Sequence, residues 1–402
     1  MIADRSFLDP DLVEDPHPYL HRLRAEDPVH WTEHHQAWLL TRYDDVASAF
    51  LDSQLSAERV GSLLPATPTT EERETFDPIY RMLGNWMVFT DPPAHSRLRR
   101  LARTAFTGRT VERMRPVIES VVDALIDDLA RRCRVDFVRA FAYPLPATVI
   151  AHLLGVPESD LGRFKQWSDD VATIVFGAPD RAGRRDRAPR GLLALERYFR
   201  ALLDRYRREP ADNLLSDLAR AEETGDVLSS DEVVATCVLL LFAGHDTTAN
   251  LLATGVFHLD RNPDERRRLR HDRSLAASAV EELLRYDGPT KMQVRIAKEG
   301  VALGGKSIRA GQRLLLCQAA ANRDPERFAE PDRLDLARGD NDHIAFGLGI
   351  HHCLGAPLAR LEGQIAFAAL AERLPGLRVV ERPEWRPTIL GRGVSALPVC
   401  VE

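Results

Sequence analysis

Lysine is almost missing from this sequence: Lys165, Lys291, Lys298 and Lys306 stand beside 50 arginines. A GC-rich gene explains such a bias, so the arginines by themselves signal no nucleic acid. With 54 basic against 60 acidic residues the net charge is −6, which leaves no overall basic excess for nucleic acid or an anionic membrane. Cysteine is scarce as well. Cys133, Cys237, Cys317, Cys353 and Cys400 are too few and too scattered for a disulfide framework, and five is an odd number, which fits a reducing compartment. Long apolar runs are absent: the longest, residues 233–244, is about half of what crosses a bilayer, and residues 1–10 lack the basic start and apolar core of a signal peptide. The expectation is a soluble, cytoplasmic chain without a membrane partner. Repeats and low-complexity linkers are missing too. At about 150 residues per domain the length would allow two or three domains, but residues 1–402 read as one compact domain.

What is present is mostly helical periodicity. With 44% apolar and 28% charged residues the composition is that of a globular protein with a large core. A short amphipathic helix at 18–26 leads into two strand-like runs, 29–32 and 37–41, separated by polar residues 33–36, which is a hairpin signal. From Asp45 to about Leu284 the apolar spacing is helical, as in Val117, Val121, Leu125 and Leu129. Two polar, Pro- or Arg-rich stretches interrupt it, at 56–76 and 177–190. Long irregular segments inside a compact domain are commonly functional, so both are candidate gates. After Pro289 come strand-like runs at 294–297, 313–317 and 377–380 and one further helix from about 357 to 374. The fold class is mainly α with small β-sheets.

The longest helix carries a polar interruption. Ser229 and Glu232 form a capping box, and the pattern runs to about Leu259 before Asn262-Pro263 stops it. At about 1.5 Å per residue such a helix crosses a domain. In its middle, Ala243-Gly244-His245-Asp246-Thr247-Thr248 follows the apolar 239–242. Glycine weakens a helix, and a threonine hydroxyl can bond the carbonyl of Ala243 one turn back, so a bend is expected here. One reading is a polar face turned to solvent. The other is a buried acid and alcohol beside a small-residue notch where a ligand lies, with the Asp246 carboxylate relaying protons through the hydroxyl or water.

A second segment is richer in glycine: Phe346-Gly347-Leu348-Gly349-Ile350-His351-His352-Cys353-Leu354-Gly355-Ala356-Pro357. Its glycines permit tight turns, and Pro357 suits the first turn of a helix. Cys353 then lies just before a helix N-terminus, where the dipole favours thiolate over thiol. Three uses are open: a nucleophile, a zinc ligand, or an axial ligand to a metal cofactor. Zinc would need further ligands at workable spacing, and a nucleophile would want a base that His351 supplies only awkwardly.

The pattern Phe346-x-x-Gly349-x-His351-x-Cys353-x-Gly355 resembles the haem-binding loop of the cytochrome P-450 superfamily in its bacterial form. Five fixed positions at about one in twenty each make coincidence remote. Asp91-Pro92-Pro93-Ala94-His95-x-x-x-Arg99, the patch 243–248, Glu282-Leu283-Leu284-Arg285, Ala321-Asn322-Arg323-Asp324 and Pro331-Asp332-Arg333-Leu334 follow that family's order and approximate spacing, from about Asp15 onward. The resemblance implies one haem domain with haem b between the long central helix and the cysteine loop, and Cys353 as the thiolate ligand to its iron. It implies further that His95 and Arg99, on one helical face, grip a propionate, and that His351 and Arg295 make the other propionate contacts. Glu282, Arg285 and Arg333 resemble the buried network that fixes the loop before the cysteine.

Asp246 and Thr247 match the family's proton-delivering acid and alcohol, a pair that favours an oxygen-dependent monooxygenase over peroxide-using relatives. A haem-binding sensor is the alternative. No flavin or iron–sulfur module fits in 402 residues beside this fold, so electrons are expected from a separate ferredoxin and its reductase. Arg97, Arg100, Arg103, Arg109, Arg113 and Arg360 would offer it a basic patch, unless they are merely a solvated Arg-rich face. Candidate pocket residues, by position, are Met87, Val88, Phe89, Phe176, Leu240, Ala243, Gly244, Lys291, Met292, Gln293, Ile389 and Leu390. Most are apolar, which suggests a lipophilic small molecule, with Lys291 meeting an acidic or carbonyl group. A monomer is expected.

Overall fold

A period of two builds the main sheet. The computed structural model of the protein describes residues 2–63, 70–177, 187–223 and 229–401. Val29–Thr32 and Ala37–Leu40 pair antiparallel, with His30 opposite Leu39, around a turn in which Gln36 takes φ 48°. Ala37–Leu40 runs parallel to Arg313–Leu316, which is antiparallel to Gln293–Ala297, so Arg295 stands opposite Leu314. The short strand Leu55–Ser56 completes the order. Successive residues point to opposite faces. Leu39, Val294 and Leu315 therefore join Phe7, Leu20 and Leu23 in one apolar cluster, while Leu40, Leu314 and Leu316 join Val46, Phe50 and Ile344 in another. With both faces buried, a one-residue slip would exchange the two sets, so the register is fixed.

The chain divides into two compact units. The first comprises Met1–Leu55, Val111–Pro146 and Thr247–Glu402 and holds this sheet. In it, helix Ala356–Arg373 packs on helices Ala276–Asp287, Arg115–Ala130 and Pro263–His271. A Cβ at Gly255 would lie 2.4 Å from Phe367 Cζ, so only glycine permits the close approach found there. The second unit, Ser56–Thr110 and Ala147–Asp246, is helical. Its helices Leu161–Val175 and Ala188–Arg208 pack along each other, with Gly191 against the Trp167 carbonyl.

Part of each expected gate is regular. Val60–Leu63 forms a 3₁₀ turn and helix Thr70–Gly84 begins inside 56–76, because Phe76, Ile79 and Leu83 supply a buried helical stripe. Helix Ala188–Arg208 likewise begins inside 177–190. Residues 64–69 and 178–186 of those two stretches lie outside the described residues.

Helix Ser230–Arg261 has 32 residues. Its capping box is reciprocal: Glu232 N donates to Ser229 Oγ at 3.3 Å and Ser229 N to Glu232 Oε2 at 2.9 Å. The helix is continuous through 243–248 in spite of Gly244. Burial of Val233, Val234, Cys237, Val238 and Leu241 outweighs the cost of one glycine, about 1 kcal/mol. The helix is long and apolar enough to cross a membrane, yet 78% of its apolar window is buried inside the protein.

Candidate active site

Two left-handed glycines shape the cysteine loop, Gly347 at φ 69° and Gly349 at φ 67°. A Cβ at Gly349 would also crowd Leu51 Cδ2 at 3.1 Å. Between them the loop closes on itself: Gly347 N donates to the Ile344 carbonyl at 2.9 Å and Cys353 N to the Phe346 carbonyl at 2.9 Å. Cys353 is left exposed three residues before helix Ala356–Arg373, whose N-cap is Gly355. The helix dipole there favours a thiolate. Further back, Ile344 N donates to Asn322 Oδ1 at 2.8 Å and Gln318 Nε2 to the Ala345 carbonyl at 3.1 Å, which secures the loop's entry.

The Glu282 and Arg285 side chains are fully buried and meet twice, Nε to Oε2 and Nη2 to Oε1, each at 2.8 Å. The second guanidinium on Glu282 belongs to Arg338, whose Nε lies 3.1 Å from Oε2, and not to Arg333. Arg333 is 59% exposed on Glu330 and contributes only its carbonyl, which accepts from Arg285 Nη2 at 3.3 Å. The spacing of Arg333 matched, but the turn at Glu330, at φ 44°, sends its side chain outward. Asp335 N and Asn341 Nδ2 also donate to Glu282, at 3.0 and 3.2 Å.

Cationic groups occur in both units. In the first, Arg295 is 4% exposed, donates to the Val294 carbonyl at 2.9 Å and lies over the Phe50 ring. His351 ends the 3₁₀ turn Gly349–His351. In the second, His95 is 2% exposed on helix Ala94–Ala102, with the half-buried Arg99 one turn later. Of the arginines read as a patch, Arg97 is engaged by Glu232 and Arg360 by Glu281, whereas Arg100, Arg103, Arg109 and Arg113 are exposed.

On the long helix Asp246 is 6% exposed and Thr247 half-buried, while Ala243, one turn before, is exposed in an otherwise buried stretch. Gly244 lies against Ile150, where a Cβ would come within 2.8 Å. Burial pushes the His245 imidazole below its usual range, and its Nδ1 lies 2.6 Å from the Leu241 carbonyl. Met87, Phe89 and Leu240 are buried and Val88 is 40% exposed. Trp86, which sequence patterning did not single out, stacks between Phe89 and Phe242 with centroids 5.8 and 5.9 Å away, and Phe176 follows at 5.7 Å from Phe242. Two of the expected pocket residues, Phe89 and Phe176, thus belong to one aromatic stack in the second unit.

The remaining candidates come together in the first unit. Lys291 N and Met292 N both donate to the Leu390 carbonyl, at 2.8 and 3.4 Å, and Met292, Ile389 and Leu390 share one apolar cluster; Gln293 opens the strand beyond. The Lys291 ammonium is 2% exposed and donates to the Thr388 carbonyl. Nearby, Asp287 accepts from Arg392 Nε at 3.0 Å and pairs with His258 Nε2 at 2.9 Å; the Arg392 fork also donates to the carbonyls of Val13 and Glu14.

Burial, with the Arg392 charge added, lowers Lys291 from its ordinary 10.5 to about 7. Between those values the unfolded chain holds a proton that the folded chain has lost, so stability rises with pH there; below about pH 7 the full penalty is present. Lys291→Met is therefore expected to raise the melting temperature at neutral pH, with the gain shrinking toward pH ~10. Paired thermal melts across that range check it, and a pH-independent gain would overturn it.

Among the described residues no three His, Cys, Asp or Glu side chains gather to hold a bare metal ion. The exposed Cys353 thiol would suit a metal that brings its other ligands with it, and in the same unit the buried Arg295 would suit an acidic group of such a ligand. One exposed cysteine on a glycine-shaped loop before a helix N-terminus is an arrangement that would hold a metal macrocycle through a single thiolate. The sequence model of the family described as Cytochrome P450 matches residues 195–374. The chain is 41% identical to Cytochrome P450 107B1 of Saccharopolyspora erythraea, over 99% of this chain and 98% of that protein. It is also 41% identical to the vitamin D(3) 25-hydroxylase of Pseudonocardia autotrophica, over 96% and 94%. The crystal structure of P450BioI in complex with hexadec-9Z-enoic acid ligated acyl carrier protein superposes with a TM-score of 0.90 at 34% identity, covering 98% of this chain and 100% of that one. The chain belongs to the cytochrome P450 family: it has the P450 fold, binds haem b and is a P450 oxidoreductase.

Proposed function

We propose that the protein is an oxygen-dependent monooxygenase that inserts one atom of dioxygen into a lipophilic small molecule, by hydroxylation or epoxidation, in secondary-metabolite tailoring or xenobiotic oxidation. The observation that carries this reading is the pair Asp246 and Thr247, an acid and an alcohol set on an unbroken helix one turn beyond an exposed alanine. Haem supplies reductive activation of dioxygen and transfer of oxygen to a C–H or C=C bond. Cys353 would ligate its iron, with Phe346, Gly349 and Gly355 shaping the loop, while Arg295, His351, His95 and Arg99 would neutralise its propionates. Asp246 takes protons from solvent and Thr247 passes them on through its hydroxyl. A sensor has no need of this pair.

The names of relatives support a lipophilic substrate, since one acts on vitamin D(3) and one structure holds a fatty-acyl chain. Within the second unit, Met87, Phe89, Phe176 and Leu240 would offer it apolar surface. Electrons come from a separate ferredoxin and ferredoxin reductase, for which Arg100 and Arg103 remain exposed. The full chain works as one haem domain, a soluble cytoplasmic monomer.

The test supplies purified protein with NADPH, a surrogate ferredoxin and reductase, isotopically labelled dioxygen, and a compound chosen because it changes the haem spin state. One labelled oxygen atom is expected in the product. Haem reduction without label in any product would favour the sensor.

A further inference from the structure

Adjacent carboxylates on helix Ala276–Asp287 face different partners, because successive helical residues are about 100° apart. Glu282 holds the segment 335–341 that leads into the cysteine loop. Glu281 holds the loop's two ends. Its Oε1 accepts from Arg360 Nε at 2.7 Å and its Oε2 from Arg360 Nη2 at 2.8 Å, a bidentate pair. Arg360 sits seven residues after Cys353, on the exit helix. The same Oε2 lies 3.1 Å from Nε2 of His343, ten residues before Cys353. The other ring nitrogen, Nδ1, accepts from Ala345 N at 3.2 Å, so the proton of the neutral imidazole is on Nε2 and is donated to Glu281. The Arg360 guanidinium also lies 4.6 Å over the ring of Phe346, whose carbonyl holds Cys353 N.

We propose that Glu281 is a positioning residue for the thiolate, joining the entry of the cysteine loop through His343 to its exit through Arg360 and Phe346, and setting the local charge that the haem iron feels. Burial opposes ionisation of Glu281, but the hydrogen bonds from His343 and Arg360 outweigh it and hold the carboxyl at about 2, so the pair stays charged and mutually neutral at working pH. Arg360, one-third exposed, is thereby assigned to the loop and not to a docking surface. The inference rests on thiolate ligation by Cys353, which the experiment checks separately.

The experiment measures the haem reduction potential of holoenzyme variants, together with the carbon monoxide complex of the reduced protein. Glu281→Gln keeps the shape but leaves the Arg360 charge uncompensated, and is expected to favour reduced haem by up to about tenfold at a fixed potential, a positive shift of about 59 mV. Arg360→Gln strands the carboxylate instead and is expected to shift the potential the other way. The double variant Glu281→Gln/Arg360→Gln restores neutrality and is expected to return most of the way to wild type. Opposite signs with recovery in the double variant support the proposal, and either single variant alone still tests its sign. Shifts of the same sign, or none, overturn it while the thiolate-type Soret band persists. Loss of that band in the wild-type protein would instead remove the reading of Cys353.

Discussion

Glu282→Ala yields protein with little bound haem. The carboxylate is at the centre of five donors: the Arg285 fork, Arg338, Asp335 N and Asn341 Nδ2. Arg285 in turn donates to the carbonyls of Asn322 at 2.9 Å and Pro331 at 2.8 Å, so one ion pair ties three passages of chain. Removing the acid strands a fully buried guanidinium, which costs about 3–5 kcal/mol. That is a large share of a typical domain stability of about 5–15 kcal/mol. The loss falls on residues 335–341, which lead directly into the cysteine loop. The haem-to-protein absorbance ratio of the purified variant measures it, and a normal ratio would contradict the network. Arg333→Ala is the matched control, because that side chain is exposed and its carbonyl survives substitution; haem content is expected to stay near wild type.

Thr247→Ala is expected to separate electron consumption from product. Its backbone position in an unbroken helix tolerates alanine, so the fold and haem content are retained. What disappears is one hydroxyl beside a buried Asp246. Positioned proton transfer is worth about 10²–10⁴-fold, and a water entering the vacated space recovers part of it, so a fall in product per NADPH of about tenfold or more is expected, with hydrogen peroxide making up the difference. Simultaneous assay of NADPH, peroxide and product decides the matter. Unchanged coupling would remove Thr247 from proton delivery.

Local signals were legible and distant partners were not. The Ser229–Glu232 box, the 29–40 hairpin and the turn glycines at 347 and 349 each depend on residues within a few positions, so spacing alone located them. Arg338 lies 56 residues after Glu282, and Glu281 lies 62 and 79 residues before His343 and Arg360, and nothing in the periodicity of either segment names the other. The position of Arg333 in a motif says nothing of where its side chain points after a turn. One partner of Trp86 in its stack is likewise distant, since Phe242 lies 156 residues further along the chain. At Gly244 propensity argues against helix, yet burial of the flanking residues keeps the helix continuous there.

Arg392 closes a loop in the history of the chain as well as in its structure. The carbonyls of Val13 and Glu14 that it binds are separated from it by 379 and 378 residues. During synthesis at about 5–20 residues per second, those carbonyls leave the ribosome roughly 20 to 75 seconds before their partner does. The amino-terminal segment must therefore wait, along with the Asp287 carboxylate, until the segment that carries Arg392 has been read. A translation product halted before codon 392 would carry that carboxylate without its guanidinium, and so be marked for degradation rather than accumulate as a shortened enzyme.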